Sequence, residues 1–194
     1  MKTYGNKVVV LFVMLLGFVT PAWAHTGIGI THGFMAGFVH PFQGLDHLLV
    51  MFAIGLWASV QSGKMLWQLP VIFLVLMATG AGLHFVGFPM HYAELWVSLS
   101  VLAVGLIIWC NWSFSGYWAM GLVAVFALSH GYVHAAETEI GIGHLNYVSG
   151  FLVATTILIS LGIAVSLLDV MRAYVFRLSF GLVSSTVAVL SLAN

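Results

Sequence analysis

This chain reads as an all-α integral membrane protein, with six transmembrane helices after a cleavable signal peptide and a short N-terminal half-helix on the outer side. Three observations predict that class. The residues are 62% hydrophobic and only 5% charged, against roughly 45–50% apolar and about 25% charged in ordinary soluble domains. Six apolar stretches, each close to the roughly 20 residues that a helix needs to cross a bilayer, are separated by short turn-forming segments. The basic residues of the mature chain fall on one side of the resulting topology, and all nine histidines fall on the other.

The elements follow in order. Lys2 and Lys7 precede an apolar run from Val8 to Val19, and Pro21-Ala22-Trp23-Ala24 ends in an A-x-A cleavage site. Residues 1–24 are therefore expected to be a signal peptide, with His25 as the new first residue and 25–194 as a single six-helix domain; an uncleaved anchor helix is the alternative. Residues 31–39 resemble a half-helix stopped by Pro41, too short to span. The spans are expected at 44–60, 66–86, 93–110, 117–136, 147–168 and 174–192. Turn chemistry marks their breaks, at Gln61-Ser62-Gly63, Gly87-Phe88-Pro89, Asn111-Trp112-Ser113 and Gly141-Ile142-Gly143.

Orientation follows from the charges. If His25 starts outside, Lys64, Arg172 and Arg177 all lie on the cytoplasmic side, as the positive-inside rule requires, and Glu94, Glu137 and Glu139 lie outside. His25, His32, His40, His47, His84, His91, His130, His134 and His144 then all occupy the outer half or the outer loops, with Asp46 among them. Only Asp169 departs, beside Arg172 as a solvated interfacial charge. An outer surface rich in imidazole and carboxylate and without Lys or Arg attracts cations. The formal net charge of zero gives no support to nucleic-acid binding. The lone Cys110 excludes an intrachain disulfide and any multi-cysteine metal site.

Two constellations carry the chemistry. In His40-Pro41-Phe42-Gln43-Gly44-Leu45-Asp46-His47, Pro41 and Gly44 break the helix and let two imidazoles and a carboxylate converge. Met51 lies one turn below His47 and offers a soft thioether. The plainer reading makes Asp46 a first-turn acid on a helix dipole and Met51 a packing residue. In Ser129-His130-Gly131-Tyr132-Val133-His134-Ala135-Ala136-Glu137, His130 and His134 are one turn apart with Glu137 continuing the face, so two imidazoles and a carboxylate can meet one ion. The alternative there is a hydrogen-bonded histidine pair. His25 could chelate through its α-amine and imidazole together if cleavage occurs. His84, His91, His32, His144 and Glu94 read equally well as interfacial residues. Neither a P-loop nor an H-E-x-x-H motif is present.

His40-Pro41, Gly44, Asp46-His47 and Met51 look like the H-P-x-x-G-x-D-H-x-x-x-M signature of the HupE/UreJ family. Ser129-His130-Gly131, His134 and Glu137 resemble its second motif, typically H-G-x-x-H-G-x-E, with Ala135 where the family often has glycine. The resemblance extends over nearly the whole chain and implies secondary nickel or cobalt uptake, in support of hydrogenase or urease maturation. It implies a bacterial inner-membrane protein with its mature N-terminus outside, no permanently bound cofactor, Ni²⁺ or Co²⁺ as cargo, and no enzymatic activity. The implied partners are the divalent ion, the bilayer and nickel-enzyme maturation proteins, with a homo-oligomer left open.

Imidazole suits nickel, copper, zinc and iron, and the missing thiolates speak against a dedicated Cu(I) site. His40, Asp46 and His47 would form one wall of the metal site, His130, His134 and Glu137 the other, with His25 and Met51 as outlying ligands. The inner half offers few obvious ligands, and the exit is not traced; Thr79, Ser98 and Thr155 are examples of polar side chains that could line it. Rival readings are an intramembrane zinc hydrolase with Ser129 near the metal, a haem-binding electron carrier using paired histidines, and an accessory or sensing protein without flux.

Overall fold

The computed structural model describes residues 33–61, 63–137, 144–167 and 170–193. The expected signal peptide, His25, His32, Glu139 and Asp169 lie outside them. Among the described residues there are seven helices: α1 (Phe34–Gln43), α2 (Leu45–Gln61), α3 (Met65–Phe85), α4 (Ala93–Cys110), α5 (Gly116–Ala136), α6 (His144–Ser166) and α7 (Val170–Ala193). The chain is thus an all-helical membrane protein. Four of its helices, α3 to α6, are long and apolar enough to cross a bilayer; α1 and α2 are apolar enough only as a pair, which is bent by 86° in the manner of a broken span or a re-entrant loop. The stretch Tyr174–Leu190 of α7 is a shorter apolar helix.

One expectation needs correction. Pro41 does not stop the first half-helix: α1 runs through it to Gln43, with Pro41 buried inside. Proline removes only its own N–H, and that bond would go to the carbonyl four residues back. The chain turns instead at Gly44, whose backbone is extended (φ −97°, ψ 124°). The bend therefore lies between Gln43 and Leu45, and it brings His40 and His47 to the inside of one corner.

The ends of the helices follow their sequences. Gly87 takes a left-handed conformation (φ 75°), and the N–H groups of Gly87 and Phe88 close back on the carbonyls of His84 and Leu83. That is how a glycine ends a helix without leaving its last carbonyls unpaired. Asn111 does the same for α4 at φ 52°. Exposed Trp67, Trp109, Trp112, Tyr117 and Trp118 gather at the helix ends opposite the histidines, and exposed Tyr92 and Trp96 at the histidine end. Exposed Trp and Tyr at helix ends suit a membrane–water interface, where their rings are half apolar and half polar.

Packing rests on close backbone approach. Gly37 and Gly150 join α1 to α6, Gly55 and Gly162 join α2 to α6, Gly80 and Gly131 join α3 to α5, and Gly105 and Gly181 join α4 to α7. Lipid tails are as apolar as leucine, so membrane helices associate through contact, and small residues permit it. Met65 meets Gly116 and Met77 meets Gly131, so α3 and α5 run parallel. His47 meets Phe151 and Gly55 meets Ile159, so α2 and α6 run parallel too. α2 and α3 are joined by a three-residue turn and run antiparallel. α2 is the centre of the molecule, with every residue from His47 to Ala58 buried.

Candidate metal centre

Three histidines from three helices meet at the bend. His40 comes from the last turn of α1, His47 from the first turn of α2 and His134 from the last turn of α5. One nitrogen of each lies within 4.8 Å of the others. His47 Nε2 is 2.9 Å from His134 Nδ1, and His40 Nε2 is 3.2 Å from the same atom. Glu137, just past the end of α5, puts Oε2 3.0 Å from His134 Nδ1 and 3.1 Å from His40 Nε2.

Proton accounting shows what this cluster can do. Asp46 Oδ1 accepts a 2.6 Å hydrogen bond from His47 Nδ1–H, so a neutral His47 presents a bare Nε2 lone pair to the cluster. His134 Nδ1 has three polar neighbours, yet it carries at most one proton. The contacts exceed the hydrogens available to satisfy them. A cation removes the conflict, because each lone pair then points at the ion. The spacings also fit: metal–nitrogen bonds of about 2.0–2.1 Å put neighbouring ligands about 2.9 Å apart at a right angle and about 3.4 Å apart at the tetrahedral angle. A carboxylate behind a histidine, fixing its tautomer, is the usual outer support of a metal-bound imidazole.

The electrostatics agree. Burial works to raise the Glu137 carboxyl, but the hydrogen bonds and charge of His134 and His40 prevail and hold it below the usual carboxylate range. Glu137 therefore stays ionised and adds a negative charge beside the three imidazoles.

The remaining candidates are placed as follows. Asp46 stands behind His47. His130 is wholly buried and lies one layer from the three-histidine group; its Nε2 is 2.8 Å from Ser100 Oγ, and its ring is 5.4 Å from that of His47. Met51 is wholly buried, and its sulfur accepts a 3.3 Å hydrogen bond from Thr155. His84 packs edge-on against Tyr132, whose hydroxyl accepts a bond from the Met90 N–H; His91 and Glu94 are exposed. Sequence reasoning missed Ser100. A serine amid the apolar residues of α4 was the available signal, since buried polar groups in a span need a partner.

The family model for the HupE / UreJ protein matches residues 13–191, nearly the full chain. The chain belongs to the HupE/UreJ family. Protein HupE of Rhizobium leguminosarum bv. viciae is 39% identical over 147 residues, which cover 75% of this chain and 77% of that protein. No solved structure matches the chain. The two histidine motifs of this HupE/UreJ member are thus brought to one corner by a bent helix pair and the end of α5.

Proposed function

We propose that this HupE/UreJ protein carries nickel or cobalt ions inward across a bacterial inner membrane by secondary transport, supplying hydrogenase or urease maturation. The observation that carries the reading is the meeting of His40, His47 and His134 in a chain with only 5% charged residues. Histidines grouped in a membrane protein are costly unless they serve an ion or a proton path. In this reading His40, His47, His134 and Glu137 strip water from the ion, and Asp46 holds His47 in its ligating tautomer. Six spans, counting the bent pair as one and α7 as the last, put the centre on the outer side. Residues 1–24 act as a signal peptide, and His25 assists capture. An inside-negative potential is worth about 4.6 kcal/mol per 100 mV for a divalent ion, so inward flux needs no ATP.

The test is ⁶³Ni²⁺ accumulation in cells lacking their own nickel uptake. Wild type is compared with His47→Ala at matched membrane levels, with Co²⁺ and Zn²⁺ as competitors. Uptake present in the wild type and lost in the variant is expected. No uptake by correctly inserted wild-type protein refutes the proposal.

A further inference from the structure

We infer that Phe151 of α6 sets the metal preference of the centre: its ring shuts out the waters that a six-coordinate ion would keep, and so favours cobalt over nickel. The inference rests on the proposed reading of the three-histidine centre and names which of its two candidate ions it takes better.

The first observation is the reach of one ring. The centroid of Phe151 lies 4.8 Å from that of His134, 5.8 Å from that of His40 and 6.5 Å from that of His47. A ring in contact with three imidazoles at once covers one side of the group they form. Tyr147, one turn earlier on the same face of α6, stacks on Phe151 at 6.4 Å and meets His40 at 6.0 Å. Phe151 is buried, and it also borders a groove whose other walls include Met77, Ala78, Val148 and Leu152. Apolar surface therefore continues beyond the ring.

The second observation is how this wall is held. Gly150, next to Phe151, seats α6 against the backbone of Phe34 and Phe38 on α1 with no room for an added carbon. Gly37 seats α1 just as closely on the backbone of Tyr147. Both seams tie the wall to the helix that carries His40.

The third observation is the one-sided opening of the centre. The side chains of Glu137 and His40 are 45% and 24% exposed, against 6% for His47 and 3% for His134. Water reaches the centre past Glu137 and not past Phe151.

His40, His47, His134 and Glu137 each offer a donor atom. An ion that keeps six ligands has to hold waters as well. A water on the Phe151 side would face a phenyl ring, which has no lone pair for its hydrogens, whereas a buried water normally makes about three hydrogen bonds. The apolar shell of a metal site controls solvent access in this way. Co²⁺ passes from six ligands to four with little loss of ligand-field stabilisation; Ni²⁺, with one more d electron, loses more in a tetrahedral field. The same donors otherwise hold Ni²⁺ more tightly than Co²⁺, so a preference for cobalt has to come from geometry.

The test reads coordination directly. Purified full-length protein, as wild type, Phe151→Leu and Phe151→Ser, is titrated separately with Co²⁺ and Ni²⁺, and the visible spectrum of the Co²⁺-loaded form is recorded. The wild type is expected to bind Co²⁺ at least as tightly as Ni²⁺ and to show the intense visible bands of four- or five-coordinate cobalt. Phe151→Leu keeps an apolar wall and should keep both properties. Phe151→Ser admits water, so the bands should fade to the pale spectrum of six-coordinate cobalt, and the ratio of Ni²⁺ to Co²⁺ affinity should rise about 10-fold. A residue that only packs would lower the melting temperature in both variants and leave the coordination of cobalt unchanged. A six-coordinate spectrum in the wild type overturns the inference, as does a Phe151→Ser protein with unchanged spectrum and ratio. If Phe151→Ser does not fold, the wild-type spectrum and ratio decide. Absence of metal uptake by correctly inserted wild-type protein would refute transport and leave the spectrum to decide the role of Phe151; purified wild type that binds neither ion refutes both.

Discussion

Gly131 lies between His130 and His134, on the face of α5 that touches α3. A methyl group added there would sit 2.7 Å from the carbonyl carbon of Met77 and 2.9 Å from its Cα, with the carbonyl oxygen closer still. All three are backbone atoms and cannot rotate away. Ordinary contact begins at 3.4 Å, so α3 and α5 would have to part by about 1.5 Å for the carbonyl oxygen to clear, at an overpacking cost of about 1–3 kcal/mol. The better helix propensity of alanine returns about 1 kcal/mol. Even if α5 takes only half of the shift, His134 moves by about 0.7 Å, more than the roughly 0.2 Å tolerance of a metal site. Gly131→Ala is therefore expected to melt several degrees lower than wild type and to bind Ni²⁺ at least about 10-fold more weakly, near 1.4 kcal/mol. Gly121→Ala is the control. It is on the same helix with nothing within 4 Å of the added carbon, and it should keep full affinity. Calorimetric titration and thermal melts of both variants decide the matter. Wild-type affinity in Gly131→Ala would refute the claim that this seam sets the geometry of the centre.

Three further outcomes are expected. Asp46→Ala should weaken Ni²⁺ binding about 10–100-fold with the protein still folded, because His47 loses the carboxylate that fixes its tautomer; equal affinities in titration would contradict that role. Ni²⁺ affinity should fall on acidification, since each ligating imidazole must be unprotonated to bind, and titration at several pH values checks it. Glu137, held below the usual carboxylate range by the hydrogen bonds and charge of His134 and His40, stays ionised through that fall, so Glu137→Gln should lower the affinity at every pH at which the wild type binds. Gly44→Ala places a carbon 2.8 Å from Asp46 Oδ1 and 3.0 Å from His47 Nδ1. Its extended backbone accepts any residue, so the melting temperature should hold while affinity falls several-fold as that pair is displaced.

Helix positions were legible because apolar length and turn residues set them directly. The expected 93–110 coincides with α4, and the other ends fall within four residues of those observed. The histidine motifs were legible as motifs. Their division of labour was not, because helical periodicity records which residues share a face but not what the facing helix presents. His130 and His134 share a face of α5, yet one meets His40 and His47 while the other meets Ser100 on α4. Asp46 adjoins His47 in sequence, and only the side-chain geometry puts it behind the imidazole. Pro41 misled because a proline near a helix end sacrifices one bond, whereas Gly44 redirects the backbone.

The complete enclosure of α2 bears on how the molecule is made. A helix buried from His47 to Ala58 has no lipid-facing side in the finished protein, yet it leaves the ribosome long before the helix that covers it. Its seam partner α6 emerges about 100 residues later, which at about 5–20 residues per second is a delay of roughly 5–20 s. Through that interval α2 is held by the bilayer alone or by provisional neighbours. His134 is also still to be made, so the two histidine motifs first meet when more than two-thirds of the chain has been synthesised. The three-histidine cluster is thus completed only late in synthesis, by the end of α5.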